Sequence, residues 1–280
     1  MLKWIVAIAV VALSGTGAQA SSSAREILDR QHALDSGARR WSDRHQQLEV
    51  EVRAQPHEPR HLSVDVFDRK YPGSQQKTMA FFSAPMNVKG TAFLAITRSD
   101  GPSDQWLYLP EARRARRIGG DARKQGFVGT DLTYHDLDLL EAIPSWTETD
   151  AASTLRGSET IDGVTCDVIE LKPQRADIDY RRIVLWVGRD DLVTRRVEFY
   201  ETEPSSGWFG FGASTPATPT RRIHQSDIRL VGSIPVPHRV EVETPSAGST
   251  TTLTFTLVRF DQGLPDELFT QPALEWGSYQ

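Results

Sequence analysis

From Leu48 onward, apolar and polar residues take turns. Leu48, Val50 and Val52 alternate with Glu49, Glu51 and Arg53, and Leu62, Val64 and Val66 alternate with Ser63 and Asp65. A period of two belongs to a strand with one face toward a core and the other toward water. Ten more strand-like runs follow, at residues 77–82, 91–97, 105–109, 115–118, 164–171, 182–187, 193–200, 222–230, 237–243 and 250–260. Gly and Pro punctuate many of the gaps, including Asp162-Gly163 and Gly188. Short strands at such spacing predict an antiparallel sheet. No long helices alternate with them, which argues against a parallel α/β sheet.

Helical patterns are few. Ser23 and Glu26 have capping-box spacing. Ile27, Leu34, Ala38 and Trp41 then fall on one face of a predicted N-terminal helix. Thr133 precedes a second, shorter pattern over 134–142, with Leu137, Leu140 and Ile143 on one side and Pro144 as its stop. A helical turn is predicted over 265–269.

Several strands are apolar on both sides, notably Phe81-Phe82, Phe93-Leu94 and Trp106-Leu107-Tyr108-Leu109. Both faces must then be covered, or one must line a cavity. A curved sheet with an apolar concave side and a helical plug satisfies this pattern; so does an ordinary sandwich.

The first 20 residues, MLKWIVAIAVVALSGTGAQA, carry an early Lys3, an apolar run from Trp4 to Leu13 and a small-x-small site at Ala18-Gln19-Ala20. That three-part order predicts a cleavable secretory signal, since the run is half the roughly 20 residues a spanning helix needs. No cysteine follows the cleavage site, so lipidation there is not expected. Cys166 is the one cysteine of the chain. It shares a strand face with Val164 and Val168 and reads as a small core residue. With 25% charged residues and a net charge of −5, the chain is globular in composition and not a general nucleic-acid binder.

The search for chemistry returns little. His57-Glu58-Pro59-Arg60-His61 matches H-E-x-x-H, but that motif needs a helix; Pro59 interrupts it and strands flank it, so a turn is expected. No pattern for a metal, a cofactor or a catalytic nucleophile stands out. His135-Asp136 reads as a solvated helix start, with Asp136 and Asp138 as first-turn acids. Two features remain. Arg113, Arg114, Arg116, Arg117, Arg123 and Lys124 form a basic cluster, suited to anionic head groups or an acidic partner, or paired with acids of its own chain. Trp208, Phe209 and Phe211 sit within a Pro-, Gly- and Ser-rich loop over 202–220, suited to a membrane or partner contact or to plugging the protein's own cavity.

An ordered series runs through the centre of the chain: Lys89-Gly90-Thr91-Ala92-Phe93-Leu94, Trp106-Leu107-Tyr108-Leu109-Pro110, Arg116-Arg117-Ile118, and Phe127-Val128-Gly129-Thr130-Asp131-Leu132-Thr133-Tyr134-His135-Asp136-Leu137. It resembles the outer membrane lipoprotein-sorting protein family, the LolA-like branch of the LolA/LolB carrier superfamily, with Val128 where the family has Met. The resemblance implies a mainly β (α+β) fold: an incomplete, strongly curved antiparallel β-barrel, with an N-terminal helix and short helices covering its concave apolar face. It implies a signal peptide over 1–20 and one domain over 21–280. It also implies a periplasmic, non-enzymatic carrier or binding protein that holds lipid or lipoprotein acyl chains without a cofactor. An inner-membrane transporter, an outer-membrane acceptor and transient membrane contact are the implied partners. The alternative is an envelope sensor or accessory module of a membrane transporter. Phe81, Phe93, Trp106, Tyr108, Phe127 and Trp186 are the candidates for the cavity wall.

Overall fold

The computed structural model of the chain describes residues 23–98, 101–201 and 218–279. The predicted signal segment, residues 1–20, and the aromatic loop with Trp208, Phe209 and Phe211 lie outside the described residues.

Helix α1 (Ala24–Ser36) opens on Ser23, whose side chain accepts from Glu26 N while Glu26 returns a bond to Ser23 N, the reciprocal cap predicted by the spacing. The helix stops earlier than the apolar pattern implies: Gly37 caps it, its N–H bonding to Leu34 O. Ala38 and Trp41 therefore belong to the connection that follows, and the buried face of α1 is Ala24, Ile27 and Leu28.

Thirteen strands then build one sheet: β1 (Asp43–Ala54), β2 (Arg60–Tyr71), β3 (Gln75–Ala84), β4 (Ala92–Arg98), β5 (Gly101–Leu109), β6 (Arg114–Ile118), β7 (Ala151–Ile161), β8 (Val164–Pro173), β9 (Arg182–Gly188), β10 (Thr194–Tyr200), β11 (Arg221–Val231), β12 (Ile234–Thr244) and β13 (Ser249–Phe260). The spatial order is β6-β5-β4-β3-β2-β1-β13-β12-β11-β10-β9-β8-β7. All pairs are antiparallel. The first and last strands meet in the middle, with Val50 opposite Leu253. The sheet is curved and not closed; β6 and β7 are its two edges. Residues 119–150, with helix α2 (Tyr134–Ala142) at their centre, carry the chain from one edge to the other.

The pleat sends alternate residues to opposite faces, and both faces are apolar over much of the sheet. On the inner face, Leu62, Val64, Ala80, Phe82, Phe93 and Leu107 pack with Tyr134 of α2. Further along the same face, Ile169, Leu171, Ile183, Leu185 and Phe199 pack with Ile27 and Leu28 of α1 and with Leu139 of α2. Leu137 and Leu253 touch both groups. The outer face of β2–β5 presents Phe67, Met79, Phe81 and Leu94, and the C-terminal residues Leu264, Leu268, Phe269, Ala273 and Leu274 lie over them. A smaller outer cluster on the other half contains Cys166, Val168, Val184, Trp186 and Tyr200. There the Cys166 thiol is fully buried, and burial raises its pKa.

The C-terminal residues act as a second cover that a curved sheet apolar on both sides requires. Phe269→Ala removes a fully buried ring and is expected to lower the unfolding free energy by about 3–5 kcal/mol, read from a denaturant titration.

Candidate functional site

The site begins with the connection that crosses the open sheet. Its residues Gly126 to Leu137 belong to the ordered series found in the sequence, and they fold as a fastening. Gly126 pairs with Thr133 in an isolated bridge. Between them Val128 and Gly129 are left-handed, at φ 49° and 75°; for a β-branched residue such as Val128 this is a strained backbone. At Gly129 a Cβ would come 2.6 Å from the Arg60 guanidinium, the movable end of an exposed side chain, so it is the left-handed backbone that favours glycine here.

Thr133 caps α2: its hydroxyl accepts from Asp136 N at 3.0 Å, and Asp136 accepts from Thr133 N at 2.8 Å. Asp131 does something else. Its carboxylate accepts the hydroxyls of Thr244 at 2.7 Å and Thr251 at 2.7 Å, and that of Ser249. The Asp131 N–H donates back to Thr251 Oγ1 at 2.9 Å. This ties the connection to the β12–β13 hairpin.

Asp136 is fully buried; the solvated helix start expected from the sequence is corrected here. Tyr180 donates to Asp136 Oδ1 at 2.6 Å, and Arg221 Nε lies 2.8 Å from Oδ2. Arg221 Nη1 also donates to Asp131 O at 2.6 Å. One arginine thus spans both acids, and three partners satisfy a carboxylate that burial alone would disfavour. Burial and the nearby Asp136 charge push the Tyr180 phenol far up. On the other half of the sheet, Gln105 of β5 donates to Tyr134 O at 3.1 Å and Asp138 Oδ1 at 2.7 Å, and Arg123 pairs with Asp138. Helix α2 is therefore bonded to both halves.

Beside this plug lies an open cleft of about 1330 Å³, bounded by the second half of α1, by α2 and by the sheet ends near Trp41, Lys70 and Val236. Its walls mix apolar residues with charges. Lys70 Nζ stands 3.9 Å from the Trp41 ring centre. Arg44 is held by the buried Asp68 at 2.8 Å. Gln76 donates to Glu141 Oε2 at 2.6 Å. Glu141 meets the cleft yet is closely walled by protein. That crowding, with the Asp68 charge, raises its pKa to about 7 against the pull of Arg44 and Lys70. Loss of hydration likewise lowers Lys70 and raises Asp35. His135, also on the cleft, is lowered by burial. Helix α1 is held over the cleft by polar bonds from Gln31 to Leu192 O at 2.9 Å and to Thr194 Oγ1 at 3.0 Å, and the connection after it by a bond from Arg39 to Asp191 O.

The six residues predicted to line one cavity do not converge. Phe93 and Phe127 meet on the inner face, ring centres 4.9 Å apart, beside Tyr134. Phe81, Trp106 and Tyr108 are on the outer face under the C-terminal residues. Trp186 is on the outer face of the other half, its indole donating to Glu159 at 2.9 Å. The apolar inner wall is filled by the plug, and the open space is the mixed cleft. The cause is strand parity: in Phe81-Phe82 and Phe93-Leu94 one residue of each pair must face outward, and alternation alone does not say which. The cluster of basic residues is divided too. Arg117 pairs with Asp104, Arg123 with Asp138 and Lys124 with Asp179. Arg113, Arg114 and Arg116 are exposed on and beside edge strand β6, with no ion pair shown among the described residues. His57–His61 form the turn between β1 and β2, as expected. No group of three potential metal ligands occurs among the described residues.

The model of a protein family described as "Uncharacterized protein"-like matches residues 74–206 and 213–276. Three crystal structures share the fold. A DUF1329-family protein from Desulfovibrio piger is 23% identical with a TM-score of 0.76, over 90% of this chain and 97% of that one. A candidate outer membrane lipoprotein-sorting protein domain from Vibrio parahaemolyticus is 23% identical with a TM-score of 0.75, over 90% and 98%. The chain belongs to the family of that model, which matches well over half of it; with the crystal structures it shares the fold. A LolA-superfamily protein from Nitrosomonas europaea, 17% identical with a TM-score of 0.61, spans 90% of this chain and all of its own. No curated protein matches the chain. Among the described residues, no helix is long and apolar enough to cross a membrane. The fold shared with these structures is built here with the plug fastened by buried carboxylates.

Two outcomes test the site. Asp136→Ala strands Arg221 in a nearly dry setting and is expected to cost about 3–5 kcal/mol, whereas Tyr180→Phe removes one hydrogen bond to a buried carboxylate at about 1.5–3 kcal/mol; urea denaturation checks both. Glu141 titrates near 7 in the fold against its ordinary 4.5. Its contribution to stability is complete below 4.5 and is lost as pH rises through 7. Unfolding midpoints across that window should fall less steeply with pH in Glu141→Gln than in the unsubstituted protein.

Proposed function

We propose that the protein is a periplasmic, non-enzymatic carrier or binding protein for lipid or lipidated protein, its 21–280 segment acting as one domain behind a cleaved signal. The observation that carries this reading is the continuous apolar inner wall of an unclosed sheet, occupied by a plug that is part of the same chain. Apolar surface exposed to water is unfavourable by roughly 25 cal/mol per Å². An acyl chain in transit therefore needs a dry wall, and an empty carrier needs something to cover that wall. Helix α2 with Phe127 and Tyr134 supplies the cover. In this proposal acyl cargo displaces part of the plug, enters beside the cleft and contacts Phe93 and Phe127. The relatives support the reading by their folds and by the lipoprotein-sorting description of one of them.

The fastening sets which parts move. Asp131 and Asp136 hold the start of α2 to β11–β13, while the last residues of α2, with Leu139 and Glu141, border the open cleft. Cargo therefore enters at the C-terminal end of α2. An inner-membrane donor and an outer-membrane acceptor complete the scheme.

A fluorescent fatty acid or a lipopeptide added to the purified protein should bind in the micromolar range or tighter, with emission shifted to that of an apolar site. Phe93→Asp together with Phe127→Ser should reduce binding at least ten-fold in protein that stays folded by circular dichroism. An unshifted probe, with native mass spectrometry of the membrane-extracted protein showing no bound lipid, would overturn the proposal in favour of a partner-binding module.

A further inference from the structure

One end of the sheet combines an exposed apolar tip with a shell of unneutralised cations. The β3–β4 turn carries Met86, which is 83% exposed, and the exposed Lys89. The β5–β6 turn beside it carries Arg113 and leads into Arg114 and Arg116. The two turns abut: a Cβ on Gly90 would lie 3.4 Å from the Pro110 ring. Arg60, at the start of β2, extends the same end and donates to Val128 O at 3.3 Å. Between these groups the inner apolar cluster reaches the surface through the part-exposed Val88, Leu109, Phe127 and Val128. Glu111 is the acid in the β5–β6 turn.

The register shows where the charges point. Arg116 stands opposite Leu107 and Arg114 opposite Leu109 on the inner face, while Arg117 stands opposite Trp106 on the outer face. Arg116 is near enough to Tyr134 to act on its phenol. The strand cations Arg114 and Arg116, unpaired among the described residues, therefore share the inner side of the edge strand, while Arg113 and Lys89 stand on the turns around a protruding methionine. Charged edges discourage strand-to-strand pairing. That accounts for arginine on β6, but not for a solvent-exposed Met86 on the neighbouring turn. An exposed apolar tip ringed by cations suits a fluid layer of anionic head groups, which meets the charges while the methionine enters between them.

We propose that this end of the sheet, formed by Met86, Lys89, Arg113, Arg114 and Arg116, docks on an anionic membrane surface. The rest of the chain is acidic enough to leave a net charge of −5, so the approach is oriented: the cationic end turns toward the bilayer and the acidic remainder turns away. Docking here brings the point where the inner apolar cluster surfaces, at Phe127 and Val128, against the head groups. The proposal does not depend on which cargo the interior takes.

The test is flotation of the purified protein with vesicles of phosphatidylcholine alone and of phosphatidylcholine mixed one-to-one with phosphatidylglycerol. Binding is expected to the mixed vesicles, to be much weaker on neutral ones, and to fall with added salt. A cation at an anionic surface contributes roughly five-fold in partition, so Arg113→Glu, Arg114→Glu and Arg116→Glu together should lower it by roughly a hundred-fold or more. Met86→Ser should lower it a few-fold. If the triple variant fails to fold, the matching Gln variant and the salt titration of the unsubstituted protein decide. Equal binding to neutral and anionic vesicles, full binding by the triple variant, or capture by poly-glutamate without binding to vesicles would each overturn the proposal. Uptake of the fluorescent fatty acid in solution should be unchanged in the triple variant, which separates this surface from the cargo site.

Discussion

Among the described residues, a thirteen-stranded sheet that curves without closing has an apolar inner wall and no partner sheet to cover it. The structure depends on how residues 119–150 are held across that wall. Apolar contact alone would let the connection slide, because hydrophobic burial has no direction. Asp131 and Asp136 supply the direction. Each carboxylate is out of water, and each is surrounded by donors from elements distant in sequence: Thr244, Ser249 and Thr251 for one, Tyr180 and Arg221 for the other. Displacing the start of α2 would strand several polar groups at once. Further along α2 the bonds are fewer: Gln105 and Arg123 hold Asp138, and at the cleft Gln76 holds Glu141.

This division of labour connects the interior to the proposed carrier role. A cavity kept permanently open would leave Phe82, Phe93 and Leu107 wet, and one packed without a release point would take no guest. A plug fixed at one end and mixed in polarity at the other meets both conditions. The outer face follows a simpler rule: the C-terminal residues cover Phe67, Phe81 and Leu94 permanently, with Leu268, Ala273 and Leu274 fully buried.

Much of this was legible in the sequence, for reasons that can be assigned. Alternation located twelve of the thirteen strands, and the Thr133 and Ser23 caps placed both helix starts. Strand β7 was missed because Ser153, Thr154, Arg156, Ser158, Glu159 and Thr160 give it no apolar rhythm; as an edge strand with most of its side chains at least partly exposed, it needs none. The two-sided strands were recognised, but not which member of each pair faces inward, so the cavity candidates mixed two faces. The role of Asp131 was hidden for another reason. Its hydroxyl partners lie more than a hundred positions away, and a local reading sees only a helix-capping residue. Asp136 looked like a surface acid because first-turn acids usually are. The ordered series around it carried the family resemblance, and its residues prove to be the ones that fasten the plug.

The pairing of β1 with β13 has a further consequence. Of the strands of the sheet, the two at its midline are the first and the last to be synthesised. Until the final strand arrives, the chain can form only two half-sheets, each with a raw inner edge where the other will join. Contacts that span nearly the whole chain close slowly, so assembly of the midline comes late. A chain of this design stays incompletely folded until the last strand of its sheet is available.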